Sequence, residues 1–139
     1  MPVRFQKWIT RQDLRNNPKV YYVFGDNVQR VGLGGQAKEM RGEPNAIGVV
    51  TKWAPGWDEA DYFNDVNMGA WLALESDLNK IANYLIHIET LVFPSDGLGT
   101  GLSMLPQKAP KMYKKLYDTI AAHATKEGIT LPWEKPKGD

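Results

Sequence analysis

Three short runs set the architecture: Val20-Tyr21-Tyr22-Val23-Phe24, Ala46-Ile47-Gly48-Val49-Val50-Thr51-Lys52 and Thr90-Leu91-Val92-Phe93. Each is rich in β-branched or aromatic residues at successive positions. A strand with one wet face alternates apolar and polar side chains, whereas a strand covered on both faces has no such need. Runs like these call for layers above and below a sheet. Helical periodicity lies between and after them. Trp71, Leu74, Leu78, Ile81, Ala82 and Leu85 recur at steps of three and four, which predicts an amphipathic helix over 67–87. Met112, Leu116 and Ile120 predict another over 106–125. Thr10-Arg11-Gln12-Asp13 resembles a capping box with Asp in place of Glu and starts a short helix that Asn16-Asn17-Pro18 ends. A further short helix is predicted over 36–41, stopped by Gly42. With an edge strand in 3–8 and a last strand in 129–133, the order is β-α-β-α-β-α-β-α-β. Such alternation predicts an α/β fold on a largely parallel sheet, with helices on both faces and right-handed crossovers.

At 139 residues the chain suits one domain, expected over 1–133 with a flexible tail at 134–139. Lys and Arg total 17 against 16 Asp and Glu, so no strong field points to nucleic acid or membrane. The absence of cysteine removes disulfides, thiol nucleophiles and thiolate metal sites, and fits a cytoplasmic setting. The two histidines, His87 and His123, have no close His/carboxylate spacing, which argues against a transition-metal site.

Two glycine-rich segments carry the chemistry. Val31-Gly32-Leu33-Gly34-Gly35-Gln36-Ala37 and Ser95-Asp96-Gly97-Leu98-Gly99-Thr100-Gly101 each follow a buried run and precede a helix. Glycine removes the Cβ that would hold an anion away from the backbone, so several N–H groups can converge on one oxygen-rich group. Ligands of open parallel sheets bind outside the carboxyl ends of the strands, where both loops are expected. The first loop matches G-x-G-x-x-A formally, but several residues separate Phe24 from Gly32, unlike the tight turn of a dinucleotide-binding fold. It is no P-loop either, because Lys38 is followed by Glu39 and lacks the metal-binding hydroxyl.

Asp26 and Asn27 follow a buried strand, where they read either as ligand contacts or as an Asx-type turn. Asp96 has the same two readings. Ser103 lacks the setting of a nucleophile. Lys38, Arg41 and Lys52 cluster around the first loop and are candidates to neutralise phosphate. Trp53 and Trp57 flank Pro55-Gly56 and read as an aromatic lid or as loop anchors. Lys108, Lys111 and Lys115 form a helical stripe, read as a solvated face or, as a weaker alternative, as a surface for nucleic acid or an acidic protein.

Phe24-Gly25-Asp26-Asn27, Gly32-Leu33-Gly34-Gly35-Gln36-Ala37 and Asp96-Gly97-Leu98-Gly99-Thr100-Gly101-Leu102 together resemble the macro-domain-like superfamily, and within it a group of short phage and bacterial proteins. The resemblance covers residues 20–122. It implies a three-layer α/β/α sandwich on a mixed, mostly parallel sheet, with a cleft for ADP-ribose or a related nucleotide. By that resemblance the first loop, with Gly32, Gly34, Gly35 and Gln36, would contact the distal ribose, and Gly25 is a further ligand-binding candidate. Asp96, Gly97, Leu98, Gly99, Thr100, Gly101 and Leu102 would cradle the diphosphate. Some members only bind; others hydrolyse ADP-ribosyl links, and Asp26 or Asn27 would then orient water. The implied partner is an ADP-ribose-like small molecule or an ADP-ribosylated macromolecule, with no separate cofactor and, for a phage protein, in the host cytoplasm. The chain departs from the family where its usual Asn-Ala-Ala-Asn stretch is reduced to Gly25-Asp26-Asn27, and it has no match for the adenine-binding aspartate.

Overall fold

The computed structural model describes residues 2–87 and 89–137. Four strands, β1 (Val3–Gln6), β2 (Tyr21–Asn27), β3 (Ala46–Lys52) and β4 (Leu91–Pro94), form one sheet in the order β1-β4-β2-β3. All three pairings are parallel. Among the described residues the sheet expected to be mixed and mostly parallel is parallel throughout, beside an isolated antiparallel bridge between Lys52 and Tyr62.

The helices are α1 (Arg11–Asn16), α2 (Ala37–Met40), α3 (Met68–Ile86), α4 (Leu105–Lys108) and α5 (Pro110–Lys126), with a 3-10 turn at Glu59–Asp61. The steps from β1 to β2 and from β2 to β3 cross the sheet in one direction, so right-handed connections put α1 and α2 on one face. The step from β3 back to β4 puts α3 on the other. Strand alternation completes the layers. Tyr22, Phe24 and Val92 pack with Leu14, Ala37 and Met40 on one face. Val23, Leu91 and Phe93 pack with Leu74, Ile81, Met112 and Leu116 on the opposite face. The molecule is an α/β sandwich.

Local chemistry explains the boundaries. Thr10 accepts from the Asp13 amide while Asp13 accepts from the Thr10 amide, which completes the capping box of α1. The bond from the Thr10 amide, helped by the side chains of Gln6 and Thr10, holds the Asp13 carboxyl below its ordinary range. Asn67 caps α3 by accepting from Ala70. The single helix expected over 106–125 is two helices. Pro110 disfavours helical backbone at the residue before it, and Ala109 sits at φ −145° and ψ 69°. The strand expected at 129–133 does not form, because Pro132 removes a ladder donor. Instead Trp133 is buried, stacked edge-on to Phe5 and Phe93, and donates Nε1–H to the Pro94 carbonyl at 2.9 Å. Glu134 at the start of the expected tail accepts from the Tyr113 hydroxyl; Gly138 and Asp139 lie outside the described residues.

Each outer strand meets a carboxylate. Val3 N–H donates to Glu127 at 3.1 Å beside β1, and Val50 N–H donates to Asp77 at 2.9 Å beside β3. Exposed ladder donors invite pairing with other chains, and these contacts blunt both edges. Among the described residues, no helix is long and apolar enough to cross a membrane.

Candidate functional site

β2 and β4 pair only through Tyr21 with Leu91 and Tyr22 with Val92. β2 continues to Asn27, so the sequence-expected stop at Phe24 falls three residues short of the observed end. Chain directions diverge here as well: β2 leads to the face that carries α2, and β4 to the face that carries α5. Such a switch point opens a crevice at the carboxyl edge of a parallel sheet. A cleft of about 260 Å³ occupies it.

Both glycine loops line this cleft. Gly32, Gly34, Gly35 and Gln36 come from the first, and Gly97, Gly99, Gly101 and Leu102 from the second. The loops touch, since a Cβ on Gly34 would stand 3.1 Å from Leu102 Cδ1. Gly99 has φ +77°, and a Cβ there would meet Leu105 at 2.9 Å, so only glycine fits without displacement. Three predicted ligand residues lie elsewhere. Leu98 is in the core, Asp96 is exposed, and the Thr100 hydroxyl donates back to the Asp96 carbonyl, bracing the loop.

The loop backbones are rich in unused donors. Among the described residues, no amide N–H from Val31 to Gln36 or from Leu98 to Ser103 donates within the protein. The first-loop carbonyls are taken: Val31 accepts from Asn27 Nδ2 at 2.7 Å and from Arg41 Nη2 at 3.1 Å, and Gly32 accepts from Arg41 Nε at 2.8 Å. Fixing carbonyls on one side leaves amides for the other.

Gly25, Asp26 and Asn27 also line the cleft, with different fates. Asp26 is 7% exposed and fully engaged. Its Oδ1 accepts from Arg41 at 2.6 Å and from the Asn27 amide at 2.8 Å; its Oδ2 faces Arg41 and Arg30. Neither oxygen is left to orient water. Asn27 is equally buried, and its Oδ1 accepts no hydrogen bond. A buried carbonyl without a donor is costly, and a ligand hydroxyl would satisfy it. The Gln36 amide is spent on both backbone groups of Ile9.

The three basic candidates separate. Lys38 is exposed and outside the cleft, and Arg41 is neutralised by Asp26. Lys52 is 6% exposed and lines the cleft, and among the described residues no carboxylate stands within ion-pair distance of it. Its Nζ donates to the Gly56 carbonyl at 2.6 Å and lies 5.0 Å from the Trp57 ring and 4.5 Å from the Tyr62 ring. Burial pushes its pKa down, with partial opposition from Asp61. Thr51 and Ser103 add hydroxyls to the wall, and Pro55 and Trp57 form its outer lip. Trp53 packs against Phe63 and is an anchor. Pro110 also breaks the lysine stripe: Lys108, on α4, pairs with Glu59, apart from Lys111 and Lys115 on α5.

Sequence reasoning missed Arg30 and Asp77. Arg30 adopts φ +57°, pairs with Asp77 through two 2.9 Å bonds, and reaches Asp26. The signal for Asp77 was a carboxylate inside the apolar stripe of α3, between Leu74 and Leu78. Arg30 gives no sequence signal, because its unusual backbone is set by the loop.

Fold and site define an α/β protein with an amide-lined cleft at the carboxyl edge of a parallel sheet. The chain belongs to a family of unknown function, DUF7831, whose model matches residues 4–119 and so spans the whole cleft. No curated protein and no solved structure matches it.

Proposed function

We propose that the cleft binds ADP-ribose or a related nucleotide diphosphate-ribose, as the macro-domain resemblance implies. The observation that carries this reading is the convergence of two unpaired amide loops on one cleft beside an unneutralised lysine. Amides and an ammonium suit a diphosphate, and the free Asn27 Oδ1 suits a ribose hydroxyl.

Engagement of Asp26 by two arginines favours a binding module over a hydrolase that relies on that carboxylate. A hydrolytic version of the site would rest on Asn27 and on positioning by the loops, with no covalent nucleophile. Calorimetry with ADP-ribose, ADP and NAD tests the reading: ADP-ribose binds in the micromolar range or tighter, and absence of binding by all three refutes it. Incubation with ADP-ribosylated protein tests turnover. Binding without released ADP-ribose establishes the module, whereas release that Asn27→Ala abolishes establishes the hydrolase.

A further inference from the structure

We infer that recognition is centred on the ribose-phosphate half of the ligand and is indifferent to the base, so that the ligand class is nucleoside diphosphate-riboses in general. The inference rests on the proposed function and narrows it.

Size is the first ground. At about 260 Å³ the cleft lies below the roughly 300–1,000 Å³ of pockets that enclose a whole drug-sized ligand. Part of a dinucleotide-sized molecule would then extend beyond it.

The supply of free polar groups is the second. Telling one base from another takes hydrogen-bonding groups that face its edge and are left unpaired by the wrong base. The side chains best suited to that task are already committed. Asp26 is held by Arg41, Arg30 and the Asn27 amide, and Gln36 by the backbone of Ile9. Among the described residues, what remains uncommitted is the donor-rich set of loop amides, the Lys52 N–H bonds not given to Gly56, the Ser103 hydroxyl and the buried acceptor Asn27 Oδ1. Asn27 and Lys52 are register partners on adjacent strands. Anionic oxygens beside sugar hydroxyls suit this set.

The lip is the third ground. Val31, Pro55, Trp57 and Leu102 offer apolar and aromatic surface where the ligand leaves the cleft, and Trp57 is 68% exposed. Stacking on such a surface accepts any base, because every base has a π-face.

Competition calorimetry on the full chain tests this with four probes: ADP-ribose, guanosine diphosphate ribose, ribose 5-phosphate and adenosine. The inference expects the two diphosphate riboses to bind within about threefold of each other, with ribose 5-phosphate displacing them and adenosine failing to. Lys52→Met, which keeps the apolar stem, weakens both diphosphate riboses by the same factor, roughly tenfold. If ADP-ribose binds but the guanine analogue is weaker by tenfold or more, or adenosine displaces it and ribose 5-phosphate does not, the inference is wrong and the binding reading stands. If neither diphosphate ribose nor ribose 5-phosphate binds, both fall together.

Discussion

Arg41 Nη2 stands 2.6 Å from Asp26 Oδ1, while Nε of the same guanidinium donates to the Gly32 carbonyl at 2.8 Å. One ion pair thus ties the end of a buried strand to the first glycine loop. A planar fork with fixed donors can hold a carboxylate and two carbonyls at once, which a lysine cannot. Arg41→Ala leaves Asp26 buried with a weakened partner set, at a cost of about 3 kcal/mol in chemical unfolding. It also frees the loop carbonyls, so ADP-ribose affinity falls by roughly tenfold or more. Arg41→Lys restores part of the stability but not the loop geometry. Lys38→Ala, outside the cleft, leaves affinity unchanged. Equal affinity in Arg41→Ala and the parent chain would remove the positioning role.

Gly99 is held at φ +77° with Leu105 close by. Gly99→Ala forces a left-handed alanine, a strain of about 1–2 kcal/mol, and pushes the second loop away from the start of α4. Thermal denaturation should show a modest loss of stability, and calorimetry a disproportionate loss of ADP-ribose binding.

Trp133 lies outside the family match yet supports the second loop from below, through Pro94 and the rings of Phe5 and Phe93. Trp133→Ala leaves a large cavity under that loop and destabilises the fold by about 3–5 kcal/mol in urea unfolding. Trp133→Phe refills most of the space but leaves the Pro94 carbonyl with the Gly97 amide and without the indole donor, and should fall between the parent chain and Trp133→Ala.

Lys52 carries a pH prediction. Burial lowers its folded-state pKa below the ordinary lysine value of 10.5. Between the two values the unfolded chain binds more protons than the folded one, so Lys52 makes stability rise with pH across that window. Anion binding moves the opposite way. Affinity for ADP-ribose is full while Lys52 is charged and declines as pH rises through its lowered pKa, before an ordinary lysine would titrate. Lys52→Met should show the weaker affinity without this alkaline decline; a decline that persists in the variant belongs to another group.

The sheet was legible because its strands are apolar on both faces, and β3 matches the expected run over 46–52. α3 was legible because its stripe and Asn67 cap mark one helix. The parallel sense of the whole sheet depended on where 129–133 went, and Pro132 with Trp133 took that segment out of any ladder. In the cleft, glycine composition identified both loops. Their placement against each other required the strand order β1-β4-β2-β3, which no local pattern encodes. Asp26 was legible as a polar residue at a strand end, but its capture by Arg41 and Arg30 depends on side chains that converge only in three dimensions. Lys52 looked like one of three basic residues, and burial alone distinguishes it.

The central claim is that both glycine loops grip one ligand. An amide-resolved ¹H–¹⁵N titration with ADP-ribose tests it most directly. The account predicts that the amides of Gly34 and Gly35 and those of Gly99 and Gly101 shift together along one saturation curve. Shifts confined to a single loop, or curves with different midpoints for the two, would contradict it.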